Sequence, residues 1–205
     1  WRWGYALTAI VYGALALAFA LTRDRWRTAP PPSASDPHPT RRGRAVLLMP
    51  AVWLGVVMFF TYAGMEVTGG QWSYTLFTEA RGITPEVAGA WVGFYWGSFT
   101  IGRFLFGAFA NRLNVTMVIR LCMLGALLGG LLIWWSPVQE AGFFGLALLG
   151  FVQAPIFPLL VGDTQKRLGP TLAPHAIGFQ IAAASVGIAL VPALAGVLAQ
   201  NAGVN

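Results

Sequence analysis

One apolar run, residues 87–110, carries Trp91, Tyr95, Ser98 and Gly102 at spacings that a helix brings to one face. Aromatic surface beside hydroxyl donors suits a sugar or a similar polar, flat-faced solute. The competing reading is a helix whose aromatic side meets lipid, although tryptophan favours membrane interfaces over the bilayer centre. Glu66 closes a second run, inside Tyr62-Ala-Gly-Met-Glu66 and just ahead of Gly69, Gly70, Gln71 and Trp72. A carboxylate there can bind solute hydroxyls, serve an outer gate or carry a proton; a solvated helix-end glutamate is the bland alternative. The paired glycines after it predict a loosened or broken helix. Gln153 precedes Pro155 and Pro158 in a third run, where proline frees carbonyls that an amide can satisfy. Gln180 lies in the last run. With Tyr95 and Ser98, these glutamines predict a ring of neutral hydrogen-bonding groups around a cavity, unless they serve only to join helices. A separate set, Arg103, Asn111, Arg112 and Asp163, is placed to latch helix ends together; snorkelling cations without partners are its alternative.

The elements that must position these residues are transmembrane helices. Only 10% of the chain is charged while 57% is hydrophobic, too little charge to coat a water-facing domain. Six apolar runs, 3–21, 45–65, 87–110, 115–135, 141–162 and 176–199, are each long enough to cross a bilayer core of about 30 Å. The predicted organisation is a helix over 1–21, a basic proline-rich linker over 22–44, and five spans within 45–205. The linker's repeated prolines and low hydrophobicity predict a tether and not a domain. Arg23, Arg25, Arg27, Arg41, Arg42, Arg44, Arg103, Arg112, Arg120, Lys166 and Arg167 fall toward one side, against Arg2 and Arg81 on the other. That bias predicts a cytoplasmic linker. Glycines at four-residue spacing, Gly89, Gly93 and Gly97 in one run and Gly125 and Gly129 in the next, predict faces where helices approach closely.

The net charge of +6 does not point to nucleic acid, because the cations flank apolar runs and form no basic segment with interleaved aromatics. Cys122 is the sole cysteine, and His38 and His175 are the only histidines, so neither a metal site nor a disulfide frame is expected. No H-E-x-x-H, phosphate-loop or G-x-S-x-G pattern occurs. The chain is therefore not expected to be an enzyme or to hold a cofactor. It opens on Trp1 at the head of an apolar run without a basic leader, which predicts a piece of a longer polypeptide.

At these residues the chain resembles the major facilitator superfamily. Gly107-Ala-Phe-Ala-Asn111-Arg112 resembles a degenerate copy of that family's cytoplasmic signature, with Asn111 in place of the aspartate. Tyr62-Ala-Gly-Met-Glu66, Gly70-Gln71-Trp72, Gly93-Phe-Tyr-Trp-Gly97, Gly102-Arg103-Phe104, Ala154-Pro155-Ile-Phe-Pro158 and Gly178-Phe-Gln180 are similar to the fucose-permease-like branch and its fungal "bypass of stop codon" relatives. The resemblance implies an all-α polytopic fold covering helices six to eleven of twelve. It implies an incomplete carboxy-terminal half preceded by one helix, with the amino-terminal half as the missing partner, and sugar movement by proton symport.

The expected function is secondary active transport of a sugar or similar small polar solute by alternating access, in a plasma or bacterial inner membrane. Glu66, Gln71, Trp91, Tyr95, Ser98, Gln153 and Gln180 are the expected solute contacts. Arg103, Asn111, Arg112 and Asp163 are the expected cytoplasmic gate. The alternatives are an efflux antiporter for amphipathic compounds and a membrane scaffold or receptor that moves nothing.

Overall fold

The computed structural model describes residues 2–26, 43, 45–109, 114–136 and 138–202, so Asn111 and Arg112 lie outside the described residues. Residues 1–39 and 40–205 form separate units. In the first, helix α1 (Arg2–Thr22) ends in a 3-10 turn, Arg23–Trp26. Its apolar side chains cover every face and none of its residues is buried, the pattern of a helix solvated by lipid. Thr8 and Thr22 turn their hydroxyls back onto the carbonyls of Gly4 and Ala18, so both hydroxyls are satisfied within the helix.

The second unit contains α2 (Pro50–Thr75), which runs on into a π-turn at Leu76–Ala80, then α3 (Pro85–Phe109), α4 (Val115–Trp135), α5 (Gln139–Gln153) and α6 (Ile156–Ala202). Pro50 and Pro85 open their helices where a missing N–H costs nothing. Asn114 caps α4 by accepting from the Met117 amide at 3.2 Å. No strand occurs among the described residues. Four helical stretches are long and apolar enough to cross a membrane: Arg2–Arg25, Pro50–Ala80, Val115–Trp135 and Gln139–Asn201. The last has 63 residues, or about 95 Å of rise, roughly three bilayer cores, so it must fold back. Helix α3 matches the others in length but is not among these four.

The reversal lies at Gly169, whose φ of 66° divides α6 into a first arm, 156–168, and a second arm, 170–202. Thr164 and Gln180 then meet at 3.1 Å across it, whereas sixteen residues of unbroken helix would hold them about 24 Å apart. Pro170 restarts the helix at once. The thirteen residues between the expected fifth and sixth runs are therefore mostly helix, with the turn reduced to one left-handed glycine. At Ala154 and Pro155 the path from α5 into the first arm bends, because Pro155 and Pro158 cannot donate to Phe151 and Ala154.

Contacts fix the directions of the helices. Gly55 faces Gln180, Gly64 faces Val191 and Gly196 faces Trp72, so α2 and the second arm run parallel. Gly187 sits against the Phe60 backbone, with no room for a Cβ. Gly125 faces Val152 while Gly129 meets the Gly145 carbonyl, so α4 runs antiparallel to α5. Trp91 lies on Phe143 and Gly102 against Phe151 and Ala154, so α3 and α5 are parallel. The glycine expectation thus holds on α4 and fails on α3. Gly93 and Gly97 have open space before them, while the bulky face of α3 packs on α5. Ring stacking and hydroxyl bonds give that face more contact than a flat glycine strip offers. The predicted break at Gly69 and Gly70 is also absent: α2 continues through both, and Gly70 makes room for the Trp96 ring. Leu121, Leu124, Leu128 and Leu131 of α4 remain exposed, as lipid-facing residues must.

Replacing Gly169 with Ala forces a side chain into a left-handed turn and should lower stability by about 1–2 kcal/mol. Gly162→Ala, in open helical space, should not lower it; thermal melts of the two variants in one detergent compare them.

Candidate functional site: a polar cluster between α2, α3 and α5

Tyr95 of α3 is wholly buried, and its hydroxyl reaches the Glu66 backbone carbonyl at 2.7 Å and the Gln153 side chain at 2.8 Å. A phenol has one proton and two lone pairs. Both contacts are satisfied when Tyr95 donates to the Glu66 carbonyl and accepts from an amide turned with its NH2 inward. Tyr62 of α2 donates to the Gln153 carbonyl at 3.1 Å, beside the Pro155 bend where the helical ladder is already interrupted. Gln153 therefore ties three helices together, one through its backbone and one through its side chain. Ser98 lies beneath, bonded to the carbonyls of Tyr95 and Ala147 at 2.9 and 2.8 Å. Every side-chain polar atom buried in the described residues has a partner.

The charged part of the cluster adjoins this knot. The Tyr62 phenol, the Glu66 carboxylate and the Arg103 guanidinium lie within electrostatic range of one another. Arg103 also lies over the Phe99 ring, 4.5 Å from its centre. The expected latch between Arg103 and Asp163 does not form. Asp163 pairs instead with Arg167 of its own helix at 2.6 Å. Gly102 is level with Ala154, nine residues or about 13 Å of helix short of Asp163, which explains why Arg103 does not reach Asp163.

These helices, with a buried hydroxyl–amide–carbonyl knot between them, agree with what the chain matches by sequence. The profile of the Major Facilitator Superfamily covers residues 1–192. The chain belongs to that superfamily. A putative glucose/galactose transporter of Helicobacter pylori (strain J99 / ATCC 700824) is 29% identical over 152 residues, covering 70% of this chain and 35% of that protein. Bypass of stop codon protein 6 of Saccharomyces cerevisiae (strain ATCC 204508 / S288c) is 24% identical over 172 residues, 78% of this chain and 34% of its own length. The glucose/galactose transporter of Brucella abortus biovar 1 (strain 9-941) is 25% identical over 226 aligned positions, 100% of this chain and 48% of that protein. The chain thus spans about a third to a half of the length of these relatives, which support the fucose-permease-like branch that its motifs resemble. No solved structure matches it.

Within this facilitator chain, the expected solute contacts separate into three places. Glu66, Tyr95, Ser98 and Gln153 come together as described. Trp91 stacks on Phe143 at 4.2 Å and 10°, a packing role on the same helix face. Gln71 is exposed, beside a shallow groove with Trp72, Thr75 and Pro192. Gln180 is buried far from Gln153, bonded to Thr164 in a cavity of about 280 Å3 that Arg120, Asp163 and Arg167 also line. Tyr62 and Arg103 belong to the central cluster, although sequence reasoning gave one no role and the other a different one. Tyr62 stands four residues before Glu66, the spacing that stacks side chains on one helix face, and that was the available signal. Among the described residues, no group of three or more His, Cys, Asp or Glu side chains is placed to hold a metal ion.

Removing the phenol with Tyr95→Phe strands the buried Gln153 amide and takes the second donor from the Glu66 carbonyl, and should cost about 1–3 kcal/mol. Adding Gln153→Leu should cost less than the sum of the two single changes. A double-mutant cycle by thermal or denaturant unfolding in detergent measures that difference.

Proposed function

We propose that this chain is part of a secondary active transporter for a sugar or similar small polar solute, driven by proton symport and working by alternating access. The reading rests chiefly on the polar knot of Tyr95, Gln153 and Glu66, set inside a bundle whose outer surface is apolar. Such a knot offers a solute replacement partners for its own hydroxyls once the knot opens. Family membership and the names of the relatives, two of them glucose/galactose transporters, support the same class of solute. Tyr95, Ser98 and Gln153 then contact the solute together with Glu66, while Gln180, Thr164 and Asp163 line its way out on the basic side. In this reading residues 1–21 are the sixth helix of twelve, 22–44 the linker between halves and 45–205 the following five helices. The amino-terminal half supplies the other wall of the cavity. Loop 22–44 faces the cytoplasm of a plasma or bacterial inner membrane, as its arginines direct.

A second reading has one specific feature behind it. A groove of about 600 Å3 between α2, α4 and the first arm is lined by Met58, Met65, Met123, Leu127 and Leu131, with Tyr62 and Gln153 at its polar edge. Flexible methionine surface suits amphipathic compounds, and so an efflux antiporter.

Counterflow of radiolabelled D-glucose or D-galactose in proteoliposomes carrying the whole protein tests the first reading. Gln153→Ala should lower it about tenfold, the worth of one buried hydrogen bond, with folding intact. Unchanged counterflow in Gln153→Ala and Tyr95→Phe argues for a scaffold. Resistance to amphipathic drugs without sugar counterflow favours the antiporter. In this reading the 205-residue chain alone should carry no flux, since it spans only about a third to a half of the length of its relatives.

A further inference from the structure

We propose that the cavity at the basic end of the bundle, between α2, α4 and the two arms of α6, is a second binding site for a small phosphate ester that carries hydroxyls. The site stands on its own geometry and not on which solute the protein carries.

The cavity measures about 280 Å3, near the lower end of the roughly 300–1,000 Å3 typical of small-molecule sites. Thr116 and Arg120 reach it from α4, Asp163, Thr164 and Arg167 from the first arm, and Gln180 from the second; the rest of its lining is apolar or glycine. Helical spacing puts them there, since Thr116 and Arg120 are one turn apart, as are Asp163 and Arg167.

Gln180 is only 2% exposed. Its side-chain oxygen accepts from Thr164 at 3.1 Å, which turns the amide nitrogen toward Gly55, where the missing Cβ makes room for it. That nitrogen has no hydrogen-bond partner among the described residues, whereas every sealed polar atom there has one, so it opens on the cavity. A buried amide in that position calls for an acceptor. Arg120, exposed at the rim, is likewise without an ion pair or hydrogen bond among the described residues.

Arg167 meets Asp163 through its Nε at 2.6 Å, which neutralises the acid and leaves Arg120 as the uncompensated charge. Donors therefore outnumber acceptors on this wall. A phosphate ester brings three acceptor oxygens, against two for a carboxylate, and a guanidinium fork matches it. The acceptors that remain suit ligand hydroxyls. Thr164 gives its proton to the Leu160 carbonyl and Gln180 but keeps its lone pairs, and the second oxygen of Asp163 accepts as well. That carboxylate also disfavours an anion without hydroxyls. A free sugar phosphate and a phosphatidylglycerol headgroup share the required chemistry.

Isothermal titration calorimetry with D-galactose 1-phosphate, on the whole protein in phosphatidylcholine nanodiscs, tests the site. The ester should bind more tightly than inorganic phosphate, and an excess of D-galactose should not displace it. Arg120→Gln should weaken binding about tenfold or more, the worth of one charge-assisted hydrogen bond, and Gln180→Leu about fivefold. Gln180 also joins the two arms, so thermal melts accompany both variants, and Arg120 at the rim decides the matter where Gln180→Leu unfolds. Loss of the ester's heat when phosphatidylglycerol is added assigns the site to the lipid headgroup; unchanged heat assigns it to the free ester. No binding of the ester, or binding indifferent to Arg120, overturns the site. Displacement by D-galactose puts the ester in the central knot and overturns the second site too. Inorganic phosphate binding as tightly as the ester overturns the role given to the hydroxyls.

Discussion

In hydrocarbon, greasy helices gain nothing by touching, since lipid tails are as apolar as leucine. What holds this bundle is therefore close backbone approach, and the contact between α2 and α6 supplies the largest share of it. Gly187 lets the Phe60 backbone in, and Gly64 lets in Val191. At the far end the Trp72 indole donates to the Pro192 carbonyl at 3.0 Å. With those two helices clamped in parallel, α2 presents one face to Phe157 and Gln153 and another to Tyr95 and Trp96. The remaining helices are organised around that framework.

Away from the glycines, polar links do what hydrophobic burial does in water. Arg81 reaches Ser136 at 2.8 Å and the Ile133 carbonyl, stitching the α2–α3 loop to the carboxy-terminal end of α4. A cation there meets unpaired carbonyls at the negative end of the helix dipole. At the opposite end, Thr164 and Gln180 join the two arms of α6. Each link fixes a separation that van der Waals contact alone leaves loose.

Much of the fold was legible because length and apolarity are what a bilayer selects. The runs that predicted helices are helical over their described residues except at Leu48 and Met49 and at the bend of Ala154 and Pro155. The absence of strands among the described residues follows from the need to satisfy every backbone group within its own segment. The faces were less legible. A helix apolar on all sides has little periodicity to announce its buried stripe, so Gly93 and Gly97 read like a packing face although they open outward. The Gly69–Gly70 pair read like a helix break because propensity in water was applied where neighbouring side chains take up the space. Of the site, Glu66, Tyr95, Ser98 and Gln153 were visible as polar residues in apolar runs. Arg103 was visible too, but its distance from Asp163 was not, because depth along neighbouring helices cannot be read from one run at a time.

Gln153 is the last residue of α5 before the chain bends at Ala154 and Pro155. Two rungs of the helical ladder are missing there, so flexing at that joint breaks no backbone bond that was not already absent. The soft point of the longest helical path in the molecule is also the point where Tyr62 and Tyr95 are tethered. Leverage applied anywhere along the first arm is thus delivered to the polar knot, and a change within the knot swings the arm in return.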